Sequence, residues 1–228
     1  MKTDPTKDNE LVISYLTLRK AVGWLGVLLP FVLLLGNCFL SMYSSYETDC
    51  NPIKSSISHY YYTRMGEVFV GTLCAVSLFL FCYKGPEPID GRLSNFAAVC
   101  ALGVVLFPTS SVNLACNLRA YEVNTAMGAI HFVFAALFFI TLACISLFLF
   151  TKSKGHKTVE KIKRNRIYRA CGYIMFVTLI LIFIYVRFFE NEQLEKLHPV
   201  FWLEAVALAA FGFSWLTKGE FLLKDKDD

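Results

Sequence analysis

The run Lys152–Arg169, KSKGHKTVEKIKRNRIYR, carries eight Lys and Arg against one acid, Glu160, and lies between two long apolar stretches. An apolar stretch of about 20 residues is long enough to cross a bilayer. Loops rich in Lys and Arg beside such spans stay in the cytoplasm. Read this way, the segment is a basic cytoplasmic loop over 152–166. That reading orients every other segment and decides which polar side chains share a compartment.

The chain around it suits a membrane rather than water. It has 228 residues, is 56% hydrophobic and has a mean hydropathy of +0.51. A soluble domain is about 45–50% apolar and lacks repeated apolar runs of this length. The length suits one helical bundle and leaves no room for a sizeable soluble domain. The net charge of +4 is concentrated in the basic run, where anionic lipid head groups or a cytoplasmic partner can balance it. No nucleic-acid partner is expected.

Outward from the basic run, six spans are predicted at approximately 21–42, 65–83, 93–107, 126–150, 167–189 and 199–216. The first follows Arg19 and Lys20, is long enough to span, and is followed by no small-x-small cleavage site of the kind that ends a signal peptide. It is read as a retained helix that kinks at Pro30. The turn at Lys84–Arg92 is punctuated by Gly, Pro and Asp. With the basic loop inside, both termini are cytoplasmic. That arrangement puts 17 of the 22 Lys and Arg on the inner side. The fold class is therefore an all-α, six-transmembrane-helix bundle of an inner or plasma membrane, N-in/C-in.

The same orientation gathers polar residues at the outer face. Ionisable groups inside a span are costly and point to function. Glu67, His131 and Glu204 each lie within about two turns of the outer end of a span. His59 and His198 flank the same ends, among Ser55, Ser56, Ser58, Tyr60, Tyr61, Tyr62 and Thr63. This predicts a polar cavity opening outward between the second, fourth and sixth spans. Its candidate ligand-binding residues are His131, Glu204, Glu67, Ser58, Tyr61 and Tyr62. A second reading makes His59, His131 and His198 ligands of a zinc ion, whose open position would hold a hydrolytic water. In the blandest reading, His131 and Glu204 bond each other across a helix interface and Tyr60–Tyr62 form an aromatic belt. Cys50 and Cys116 fall in the two outer loops, where a disulfide can form.

The segments SISHYYYT (Ser56–Thr63), HFVFAALFF (His131–Phe139), RNRIYRACG (Arg164–Gly172) and FWLEAVAL with FGFSWLTKGE (Phe201–Glu220) resemble a bacterial family of small polytopic membrane proteins of unknown function. The resemblance includes RKAVGWLGVLLP at Arg19–Pro30 and implies the same helical bundle. Ser55-x-x-x-His59 also resembles a motif of the membrane hydrolases that include alkaline ceramidases and adiponectin-receptor-like proteins. That likeness implies zinc and a hydrolytic reaction. The chain departs from it: no His-x-x-x-His occurs near the C-terminus, and Glu204 stands in the corresponding span.

Three functions are consistent with this reading. The leading one is a membrane protein that binds a small ligand, lipid or ion in the outward cavity. The second is a membrane-embedded, metal-dependent lipid hydrolase. The third is a homo-oligomeric pore, a stress or defence effector whose basic loop receives a cytoplasmic signal.

Overall fold

Lipid offers no hydrogen-bond partner to the backbone, so apolar segments satisfy their own amides as helices. The computed structural model describes residues 5–42, 52–110, 125–153 and 158–223, and among them every regular element is helical. The elements are α1 (Pro5–Ser41), α2 (Gly66–Cys82), α3 (Pro88–Leu106), α4 (Thr125–Cys144), α5 (Val159–Ile184), the single turn α6 (Glu192–Glu195) and α7 (Pro199–Lys218). Short π-helical turns, Ile145–Leu149 and Tyr185–Phe189, extend α4 and α5.

Five helices are long and apolar enough to cross a membrane: Tyr15–Ser41, Pro88–Leu106, Ala126–Leu149, Val159–Phe189 and Pro199–Lys218. The chain therefore has the make-up of a multi-pass membrane protein. The sixth apolar helix, α2, has 17 residues. It is about 25 Å long, short of the ~30 Å hydrocarbon thickness.

Contacts join the six long helices into a closed ring in the order α1–α2–α3–α4–α5–α7, with α7 returning to α1. The α1–α7 seam is built on small residues. A Cβ on Gly212 would lie 2.5 Å from the Gly23 carbonyl oxygen, and one on Gly23 would lie 2.9 Å from the Gly212 oxygen. Glycine lets the two backbones approach this closely, as in other membrane helix pairs.

Several boundaries differ from the sequence reading. Helix α1 starts at Pro5 and runs through Pro30 without a break. Helix α3 begins at Pro88 rather than 93, because proline suits a first turn and a capping box precedes it. In that box the Glu87 amide donates to the Asp90 carboxylate at 3.0 Å. The main correction concerns the basic run itself. Of its described residues only Lys152, Ser153 and Thr158 lie outside a helix; from Val159 the run is the first turns of α5. Thr158 caps that start by accepting the Lys161 amide at 3.1 Å. Lys, Arg and Glu then extend the helix beyond its apolar part.

Two cations and an amide of this end cap neighbouring helices. Lys161 Nζ donates to the Phe150 carbonyl at 2.8 Å, Arg19 to the Lys218 carbonyl at 3.3 Å, and Asn165 to the Thr151 carbonyl at 3.2 Å. Positive charge at a helix C-terminus satisfies orphan carbonyls and opposes the macrodipole. Below them, Tyr83, Phe150, Tyr168 and Trp215 form a buried aromatic layer.

Packing is uneven along the bundle. The buried face of α5 runs Arg164, Tyr168, Cys171, Met175 and ends at Thr178; none of Tyr185–Phe189 is buried. At that level α4 also exposes Phe132 and Val133, and α7 exposes Trp202 and Val206. The helices pack tightly at the basic end, and the α4–α5–α7 side loosens toward the other.

Candidate functional site

At the end opposite the basic run, residues 52–63 fold back over the bundle as a cap that includes a 3-10 helix, Ser58–Tyr62. The cap is held because the helix ends beneath it need partners. Pro108 follows the end of α3 and has no N–H to give the Val104 carbonyl, and Phe107 is the C-cap, where the helix leaves its last carbonyls open to other donors. His131 of α4 supplies that proton: its Nδ1 lies 2.8 Å from the Phe107 oxygen and 3.2 Å from the Val104 oxygen. Tyr62 donates its hydroxyl to the Thr109 carbonyl, and His59 donates Nε2–H to the Ser110 carbonyl at 3.1 Å. At α7, the Phe201 amide donates to the Ser55 carbonyl at 3.1 Å. Asn37 and Tyr60 both donate to the Pro52 carbonyl, at 3.0 and 3.1 Å.

These partners assign the histidine tautomers. A carbonyl only accepts, so Nδ1 of His131 carries the proton. Its Nε2, 2.9 Å from Ser58 Oγ, then accepts the serine hydroxyl proton. His59 is the mirror case: Nε2 carries the proton, and Nδ1 accepts from Ser56 at 2.7 Å and Ser55 at 3.2 Å. Burial holds the His59 imidazole below its usual value, and the nearby His131 and Lys54 push the same way against the Ser110 carbonyl. Burial also raises the Tyr62 phenol to about 12.

Glu204 of α7 accepts the Ile57 amide at 2.6 Å, a short contact. Beside it lies a cavity of about 40 Å³, lined by Leu29, Ile57, Ser58, Phe69, Leu73, Val104, Ala135, Phe138, Phe139, Glu204 and Leu208. Its walls are apolar apart from the Ser58 hydroxyl and the Glu204 carboxylate. The space suits one or two waters or a small polar end group.

The expected site residues are only partly brought together. Ser58 and His131 bond each other, and Ser58 shares the cavity with Glu204. His131 and Glu204 do not bond each other; each reaches the cap instead. Glu67 is exposed and lines no part of the cavity. Tyr62 is 1% exposed and Tyr60 0%, so these rings are core rather than an interfacial belt. Tyr61 packs edge-on against Tyr62. His198 is the N-cap of α7, with a left-handed φ of 50°, and burial lowers its pKa.

Among the described residues no group of three or more His, Cys, Asp and Glu is placed to hold a metal ion. His59 and His131 direct their ring nitrogens to serines and carbonyls, so His59, His131 and His198 are not gathered as zinc ligands. Cys50 and Cys116 lie outside the described residues. Cys38, Cys74, Cys82, Cys100, Cys144 and Cys171 are free thiols.

The sequence did not single out the Ile57 amide or the carbonyls of Val104, Phe107, Thr109 and Ser110. Backbone groups carry no residue signature, and the nearest signal is Pro108, which has no N–H to give the Val104 carbonyl. A second recess of about 420 Å³ lies at the basic end, along the α2–α3 turn, and its Glu87 pairs with Lys152 at 2.6 Å. No protein-family model, curated protein or solved structure matches the chain.

Proposed function

We propose that the chain is a six-span protein of a bacterial plasma membrane with both termini cytoplasmic, and that its cap-end cavity binds the polar end of a lipid-like molecule from the outer leaflet. The observation that carries this reading is the pairing of Glu204 and Ser58 on an otherwise apolar cavity. Ligand sites combine apolar walls with a few placed polar groups. A hydroxyl, amine or ester end fits the small volume. An attached chain leaves between α4 and α7, where α5 no longer covers them. The excess of Lys and Arg at the basic end supports the orientation, and that end lies against anionic head groups through Lys152–Arg169.

The test is lipid retention. Protein extracted with its surrounding membrane is transferred to mild detergent and weighed by native mass spectrometry. Wild type is expected to keep a lipid adduct. Leu208→Trp, which fills the cavity, and Glu204→Gln, which removes its charge, are expected to lose it. A diazirine-bearing lipid should crosslink to Phe138, Phe139 or Leu208. Equal retention by wild type and both variants would reject the site.

A further inference from the structure

The geometry points to a chemical step at this cavity: Ser58 and His131 form a nucleophile–base pair for hydrolysis of a lipid ester. The inference rests on the lipid-binding reading above and names the reactive group of the ligand.

Serine acyl hydrolysis needs three roles, which are a nucleophilic hydroxyl, a base within hydrogen-bond reach and a third group that fixes the base. Ser58 Oγ lies 2.9 Å from His131 Nε2. The Phe107 carbonyl, 2.8 Å from Nδ1, supplies the third role. A carbonyl accepts only, so it pins the proton on Nδ1 and leaves the Nε2 lone pair facing the serine. It carries no net charge, so the imidazolium formed during reaction is less stabilised than beside a carboxylate, and turnover is correspondingly modest. The ring is 2% exposed, so it is held by packing as well as by its bonds. Ser58, by contrast, lines the cavity and so faces a bound ester.

The step balances without a redox partner. Ser58 Oγ bonds to the ester carbonyl carbon as its proton passes to His131 Nε2. The ester C–O bond breaks, and the alcohol leaves with that proton. A water then attacks the acyl-serine, giving a proton to His131. The carboxylic acid departs, and Ser58 recovers its hydroxyl.

Holding the cap does not require this bond. Tyr62 and His59 already tie the 107–110 segment to the cap, and Glu204 ties Ile57. Ser58→Ala is therefore expected to fold, which separates a chemical role from a fastening one.

The experiment treats the full chain, in detergent and in lipid discs, with an alkyl fluorophosphonate and with a medium-chain p-nitrophenyl ester. One adduct is expected, on Ser58 by peptide mass spectrometry, together with ester turnover. Ser58→Ala is expected to lose both. His131→Gln keeps a donor for Phe107 but offers a much weaker base, and should slow both by about 100-fold or more. Melting and lipid retention are measured on each protein. The inference is overturned if folded wild type that retains lipid takes no adduct at Ser58. It is equally overturned if His131→Gln reacts as fast as wild type. Wild type that reacts at Ser58 yet retains no lipid would reject the binding reading alone, because the soluble ester can react without a lipid held in the cavity.

Discussion

At the scale of single residues, the cap end is a set of orphan backbone groups matched with long-range side-chain partners. Glu204 illustrates the energetics. Its carboxylate accepts the buried Ile57 amide, so Glu204→Ala leaves a donor unpaired. The expected loss is about 1–3 kcal/mol, seen as a lower melting temperature in detergent. Glu204→Gln keeps an acceptor oxygen and should lose less. The reverse order would show that the carboxylate does not hold the cap. Tyr62→Phe removes the donor to the Thr109 carbonyl in the same way and should cost about 1 kcal/mol or more. His131 and Glu204 were legible in the sequence because ionisable side chains are rare in apolar spans. Their partners were not. Ser58 is 73 residues from His131, and Ile57 is 147 residues from Glu204. No local periodicity encodes such pairs.

Among the elements, α1 and α7 form the closest seam and the cap the most conditional one. Gly212→Ala would push a methyl into the Gly23 carbonyl, so the helices must separate; a loss on the order of 1–3 kcal/mol is expected. Gly71→Ala is the control: a Cβ there meets nothing within 4 Å, and the helix should be unharmed or slightly more stable. Equal effects of the two would contradict the packing described. The cap should respond to acid. An unfolded histidine takes a proton near 6.5, whereas burial lowers the value for His59 in place. Below about 6.5 the opened cap therefore binds more protons than the closed one. The stability that neutral His59 contributes is fully present above that pH and is lost as the pH falls. Protection of the amides of residues 52–63 against hydrogen exchange, taken relative to the intrinsic rate at each pH, should fall below pH 6.5, and Ser56→Ala, which removes a donor to His59, should lower it at every pH. A protection factor unchanged from pH 7.5 to 5 would refute the mechanism.

For the whole molecule, the testable quantity is orientation. Reporter fusions after Gly155 should report cytoplasm and fusions after Glu192 the opposite side; an external Gly155 would invert the proposal and place the cavity at the inner leaflet. Much of this level was open to reading from composition alone. Apolar length and the need to satisfy backbone in lipid dictate helices, and the skew of Lys and Arg dictates a direction for them. Helix starts were misjudged where capping competes with hydropathy, as at Pro88 and Val159, because polar residues can extend a helix past its apolar part. What the amino-acid sequence by itself determined is a bundle of apolar helices with a basic end and a few costly ionisable groups near the other end. Only the tertiary structure decided that residues 52–63 close that end, that His131 faces Ser58 rather than Glu204, and that Glu67 and His198 stand outside the cavity. The physical reason is that burial and charge are properties of residue types, whereas hydrogen-bond pairing depends on which helix ends are left unsatisfied once the bundle has packed.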